Sequence, residues 1–122
     1  MLTKDALLKA GKRRVVPAKV EGLGEIGLRS LSESEWSQYQ RDSIDLKTGQ
    51  VTARGLATAK ARLIALCVCN ESGERMFANS DIDAINELDA KLVNSLHAAC
   101  ERHCGVTDEA KNLEATDADN SQ

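Results

Sequence analysis

Residues 56–73 read LATAKARLIALCVCNESG, and ERMF follows at once. The stretch holds the longest unbroken apolar run of the chain, Leu63-Ile64-Ala65-Leu66-Cys67-Val68-Cys69, and a clear stop after it. Its first half is rich in Ala, Lys, Arg and Leu, all good helix formers. Leu56, Ala59, Leu63, Leu66 and Cys67 recur at the spacing of one helical face. From Ile64 to Cys69 almost every side chain is apolar, so this part has to be covered on most sides. Asn70-Glu71-Ser72-Gly73 is a turn sequence, in which Gly73 takes positive φ at no steric cost. The expectation is a helix that drives into the middle of the fold and ends at a tight turn, with Arg75-Met76-Phe77 returning as a short extended segment. A buried strand over 63–69 is the competing reading, because so short an apolar run does not separate helix from strand by periodicity.

Working outward, the 122 residues form one domain large enough to bury a core without staples. Trp36, Tyr39 and Phe77 are the only aromatic residues. The core must then come from Leu, Ile, Val, Ala and Cys, which suits packed helices better than a sandwich. The formal charge of −3 is uneven: residues 107–122 hold Asp108, Glu109, Glu114, Asp117 and Asp119 against Lys111 alone, a balance of −4 that leaves the rest at +1. A body so close to neutral has no general electrostatic reason to bind a polyanion or a membrane surface. Met1-Leu2-Thr3-Lys4-Asp5 lacks the apolar core of a secretory leader. No apolar stretch approaches the roughly 20 residues that cross a bilayer. A soluble intracellular protein is expected, with its four cysteines reduced.

Before the central stretch, Thr3 to Ala10 fits a short helix with Thr3 as N-cap and Gly11 just past its end. Leu7 and Leu8 are its large apolar residues, so it is expected to dock on the body. Lys12-Arg13-Arg14 is a basic run without neighbouring aromatics and reads as a solvated hinge rather than a nucleic-acid patch. Residues 14–20 and 25–31 alternate, with Val16, Ala18 and Val20 on one side and Ile26 and Leu28 on another. Glu21-Gly22-Leu23-Gly24 between them suits a hairpin turn. Pro17 cannot donate to a ladder, so the first strand is expected to be an edge or only partly paired. The glycines lack the lysine and Ser/Thr of a phosphate-binding loop. Ser32-Glu33-Ser34-Glu35 is a capping box, opening a helix to about Asp45 with Trp36, Tyr39 and Ser43 on one face. That aromatic pair reads as core, with partner binding as the alternative. Asp45 to Arg54 is polar, carries Gly49 and reads as a mobile loop.

After the central stretch, Ser80-Asp81-Ile82-Asp83 caps a short helix carrying Ile82, Ile85 and Leu88. Asp89 starts the last helix, AKLVNSLHAACERHC, with Val93, Leu96, Cys100 and Cys104 as its apolar stripe and Gly105 as its stop. Beyond Val106 the periodicity is lost, and TDEAKNLEATDADNSQ has the composition of a disordered acidic tail. The chain therefore divides into a single globular domain, 1–106, and a tail, 107–122. The fold class is α+β and mainly α-helical: a short N-terminal helix and β-hairpin, then a small bundle of about four helices.

One constellation raises the question of chemistry: His97, Cys100 and Cys104, with Cys67 and Cys69 in the other apolar segment. On a helix, positions 97, 100 and 104 lie within about 60° of one another, and two helices can present zinc ligands. Cys67-Val68-Cys69 is too tight for a zinc knuckle, however, and free cysteine behaves as a small buried hydrophobe. Core packing is the favoured reading. A Cys–His nucleophile pair is weaker, since His97 and Cys100 share one helical turn with no orienting acid or oxyanion donor. Nothing marks the chain as an enzyme, and no catalytic, cofactor-binding or metal residue is assigned.

Taken in order, the chain resembles the phage tail assembly chaperones of tailed phages and prophages. The strongest part is ARLIALCVCNESGERMFANSDIDAINELDAKLVNSLHAACERHCGV, residues 61–106. Members of that family show a helix of the form "ArLvaLclvdedGerlF", a short acidic helix and a final helix ending near "rlNG". The front half also matches, with Leu28-Arg29-Ser30-Leu31-Ser32-Glu33 corresponding to "vReLs-xxE". Cys104 stands where the family often has Asn, and Asn70-Glu71-Ser72 replaces a more acidic turn. The resemblance implies a non-enzymatic protein of the host cytoplasm, absent from the mature virion. It would bind the tape measure protein, keep it soluble and help recruit tail tube subunits, with homo-oligomers a further expectation. A structural tail component retained in the virion and a cysteine-based zinc-binding adaptor are the alternatives.

The loss of periodicity beyond Val106 carries a prediction. Deleting residues 107–122 should leave the melting temperature nearly unchanged, because the tail has little apolar area to bury. A fall of several degrees in a thermal melt would show that it packs on the body.

Overall fold

In the computed structural model, which describes residues 1–104, the apolar run at 63–69 is shared between two elements. Helix α3 spans Ala53–Cys67, and strand β3, Val68–Cys69, follows with no loop between them. Both readings of the run thus hold for part of it. The helix stops where Val68 turns extended, at φ −72° and ψ 127°, and pairs antiparallel with Leu28. The expected tight turn comes next, with Gly73 at φ +83°. Asn70 organises it by accepting from the Ser72 and Glu74 amides at 2.9 and 3.0 Å. Arg75 then bridges back to Cys69, and the Met76 amide donates to the Val68 carbonyl at 3.1 Å.

Around this hub the order is α1 (Lys4–Ala10), β1 (Val15–Val20), β2 (Gly24–Arg29), α2 (Glu33–Arg41), α3, β3, a 3₁₀ turn (Asn79–Asp81), α4 (Ile82–Asn86) and α5 (Ala90–Cys104). Among the described residues this is an α+β fold, mainly helical, with one antiparallel sheet in the order β1-β2-β3. Pro17 lies on edge strand β1, as its missing donor requires. The register pairs Val16 with Leu28 and Ala18 with Ile26. Directly paired residues share a face, so the two apolar sets expected on different sides line the same one. Val20, Leu28, Leu63, Ile64, Ile85, Leu96 and Cys100 join in one core against that face.

Several expectations need correction. Helix α1 has its Thr3 cap, accepting from the Ala6 amide at 3.2 Å, yet none of its residues is buried and Leu7 and Leu8 stay exposed. Seven residues with two leucines offer too little apolar area to hold it against the body. Helix α2 has the full Ser32–Glu35 capping box but ends at Arg41, well before Asp45. The polar segment that follows is tied rather than loose: Asp45 donates to Gln50 at 2.8 Å, Gly49 to Asp45 at 2.7 Å and Thr52 to Ser43 at 3.0 Å, all through backbone groups. Ile44 and Val51 close it as an antiparallel bridge. Ser80 caps nothing; it lies inside the 3₁₀ turn, where the Asp81 carboxylate accepts from the Ala78 amide at 2.8 Å. Leu88, assigned to that helix's apolar side, lies beyond α4 and is exposed. The expectations for Gly105 and for the tail lie outside the described residues.

The face expected for α3 holds at Leu63 and Cys67, which are buried, and fails at the first turn. Leu56 is 74% exposed, whereas Gly55, Thr58, Ala61, Arg62 and Ala65 are buried. At Gly55 the α2–α3 connection lies directly on the helix. A Cβ on Gly55 would clash with the Ser43 backbone carbonyl. Gly55→Ala gains at most about 1 kcal/mol of helix propensity. It must displace backbone, an overpacking cost of about 1–3 kcal/mol. Net destabilisation is expected in a urea titration, and a variant as stable as the parent would show that the connection yields freely.

Candidate functional site

The residues singled out for chemistry come together only in part. Cys67 on α3 meets Cys100 and Cys104 on α5 in the core, its thiol beside both of theirs. Cys104 donates in turn to the Arg29 carbonyl at 3.2 Å. The Cys100 and Cys104 thiols beside it, and burial after them, push the Cys67 thiol far above its ordinary range. The Cys104 thiol is held below its ordinary value, first by the Cys67 thiol beside it and then, against burial, by the guanidinium groups of Arg14 and Arg29. Burial raises Cys69 although Arg29 lies near. His97 is engaged with Glu101 on its own helix, Nδ1 to Oε1 at 3.1 Å. Among the described residues no group of three or more His, Cys, Asp or Glu side chains is placed to hold a metal ion. All four cysteines are free thiols and buried. Cys67, Cys100 and Cys104 fill the α3–α5 seam, while Cys69 lies on β3 opposite Gly27.

The polar residues that organise the surroundings are three arginines. Arg62, only 7% exposed, donates through Nε to Thr58 Oγ1 at 3.1 Å and through Nη1 to the Tyr39 carbonyl at 2.8 Å. Its Nη2 donates to Ser43 Oγ at 2.7 Å and to the Gly55 carbonyl at 2.8 Å. The guanidinium carbon stands 4.8 Å from the centre of the Tyr39 ring, which itself stacks on Trp36 at 5.3 Å. The aromatic pair is half-buried and serves this cluster. Burial raises the Tyr39 hydroxyl, and the Arg62 charge acts against it. Arg29 and Arg75 close the other end of α3, their Nε groups donating to the Leu66 and Ala65 carbonyls at 2.9 and 3.0 Å. Arg29 is paired with Glu35 of the capping box. Sequence reasoning passed over all three. One available signal was the stripe Gly55-Thr58-Arg62-Ala65, an arginine in line with small residues at helical spacing.

Two clefts lie on opposite sides of α3. One, of about 260 Å³, is lined by Tyr39, Arg62, Leu66, Arg75 and Ile82 with polar residues of α2. The other, of about 320 Å³, runs between α3 and α5 past Leu88. Leu56, Ala57, Leu88, Ala90 and Val93 line its apolar side, and Lys60, Asn86 and Asn94 its rim. Lys60 donates to Asn94 at 2.6 Å across it. Leu56 and Leu88 are exposed there, so this cleft can take an apolar helix stripe. It carries no nucleophile, acid–base pair or anion cradle.

No family model and no curated relative matches the chain. Among solved structures its fold is similar to that of the bacteriophage HK97 tail assembly chaperone. The two share a fold. The TM-score is 0.58 at 15% sequence identity, over 83% of this chain and 98% of that one. The element order expected from the resemblance is met at that level.

The thiol seam can be probed directly. Cys100→Ala should cost about 1 kcal/mol or somewhat more, and Cys100→Ser more than that, because a buried hydroxyl needs a partner. A chelator should leave the helical circular dichroism unchanged, and a clear loss of signal would overturn the packing role.

Proposed function

We propose that this chain is a non-enzymatic phage tail assembly chaperone that binds the tape measure protein and assists assembly of the tail tube. The observation that carries the reading is the fold shared with the HK97 tail assembly chaperone. The α3–α5 cleft supports it, since a client that is long and helical presents apolar stripes, and helix-in-groove contact is the recognition mode such a cleft serves. A chaperone of this kind acts in the host cytoplasm and leaves before the virion is complete.

Co-expression with the tape measure protein of the same phage should raise the soluble fraction of that client, and the two should copurify. The contact is mainly apolar in this reading, so it should survive about 0.5 M salt, where surface ion pairs are strongly screened. Leu56→Glu in the cleft should weaken copurification while leaving the fold intact, because Leu56 is exposed. A client that stays insoluble with no complex at any salt would remove the reading. A complex that forms but dissolves in moderate salt would keep the function and refute the apolar contact.

A further inference from the structure

The near-neutral charge of the first 106 residues hides a strong asymmetry. Residues 1–14 carry Lys4, Lys9, Lys12, Arg13 and Arg14 against Asp5 alone, a side-chain balance of +4. Residues 107–122 carry −4. The two ends therefore match in magnitude, and the fold brings their attachment points together. Arg14 is bonded to Ser30 in both directions, its amide to Ser30 Oγ at 2.7 Å and its carbonyl from the Ser30 amide at 2.8 Å. The neighbouring Arg29 carbonyl accepts from the Cys104 thiol at 3.2 Å, at the last described turn of α5. The last described turn of α5 thus lies beside the Arg14 end of the basic run. Lys12, Arg13 and Arg14 are exposed. Among the described residues only Arg13 of these three has an acidic partner, Glu35 at 3.5 Å. Asp108 lies four residues past Cys104, a reach of up to about 14 Å for extended chain. That is enough to bring Asp108 and Glu109 onto the run.

We propose that the basic arm at Lys12–Arg14 is a docking surface for an acidic peptide, and that its occupant is the acidic segment 107–119 of the same chain. Single exposed ion pairs are weak. The short tether supplies the second partner at high effective concentration, so several weak pairs act together. The association is reversible and salt-sensitive, and it neutralises a cationic arm that carries the exposed Leu7 and Leu8. Because the pairs lie at the surface, this agrees with a tail that adds little to the melting temperature. The inference does not depend on the proposed function.

Carbodiimide cross-linking of the full chain at low salt, read by mass spectrometry, tests it. Links from Asp108 and Glu109 to Lys12 and Lys9 should exceed those to Lys47, Lys60 and Lys91 by roughly fivefold, the bias that a net ion-pairing energy of about 1 kcal/mol gives. The excess should vanish in about 0.5 M salt and in the Arg13→Glu/Arg14→Glu variant, which keeps both reporter lysines. A mixture of isotopically light and heavy protein should give links within one copy. Links spread evenly over all lysines, an excess that ignores salt, or links mainly between copies would each overturn the proposal.

Discussion

Arg62 carries a full positive charge into a site that is almost closed to water, and among the described residues no carboxylate is paired with it. A buried charge left without compensation costs several kcal/mol, so the surroundings have to be built around it. They are supplied by backbone. The last four carbonyls of α2 lack intrahelical partners and carry the negative end of its dipole. Gln38 and Gln40 give theirs to the Asp42 and Ser43 amides, and Arg41 gives its to Ile44. The Tyr39 carbonyl is left for Arg62 and the Ser43 hydroxyl. This is why α2 stops at Arg41: Ser43 is drawn out of the helix to serve the guanidinium and to receive the Thr52 amide. Gly55 then has to be glycine, because the same segment lies on it.

The other end of α3 is resolved by the same device. A helix ending in an apolar run has no glycine cap or basic last turn of its own. Its Ile64 carbonyl is taken by the Val68 amide, and the next two are taken by Arg75 and Arg29 from outside the helix. Arg29 is fixed by Glu35, the residue that completes the α2 capping box. Hairpin, α2 and α3 are therefore coupled through one carboxylate and two guanidinium groups, while the thiols of Cys67, Cys100 and Cys104 seal α3 to α5. Along the flank between α3 and α5 the two helices are tied by the hydrogen bond from Lys60 to Asn94. That flank is where Leu56 and Leu88 stay exposed.

Much of this was legible in residue order. The Thr3 and Ser32 caps, the hairpin with Pro17 on its edge, the Gly73 turn and the α5 stripe of Val93, Leu96, Cys100 and Cys104 all follow from local rules. Each of those rules concerns groups within a few residues of one another. The misses share a different cause. Leu56 read as core because it is apolar and in phase with Leu63, yet at that turn the helix packs under Ser43 through Gly55, and Leu56 stays exposed. The segment after α2 read as loose because it is polar, and its ties to Ser43 and Gln50 are invisible until the two ends of the turn are brought together. Helix α1 read as docked because leucines usually are, and the area on offer was too small.

The candidate surface follows the same division. The sequence by itself determined most of the elements, the Thr3 and Ser32 caps and the cysteines as interior residues, since burial of Cys100 and Cys104 follows from sharing a helical face with Val93 and Leu96. It also showed the opposite charges of the two ends of the chain. The tertiary structure alone decided that Arg29, Arg62 and Arg75 are structural ligands of carbonyl groups, and that Leu56 faces out beside Leu88. The reason is physical: an arginine and the carbonyl it satisfies lie 23 residues apart for Arg62 and Tyr39 and 37 for Arg29 and Leu66. Such a pairing exists only once packing has excluded the water that would otherwise serve both groups.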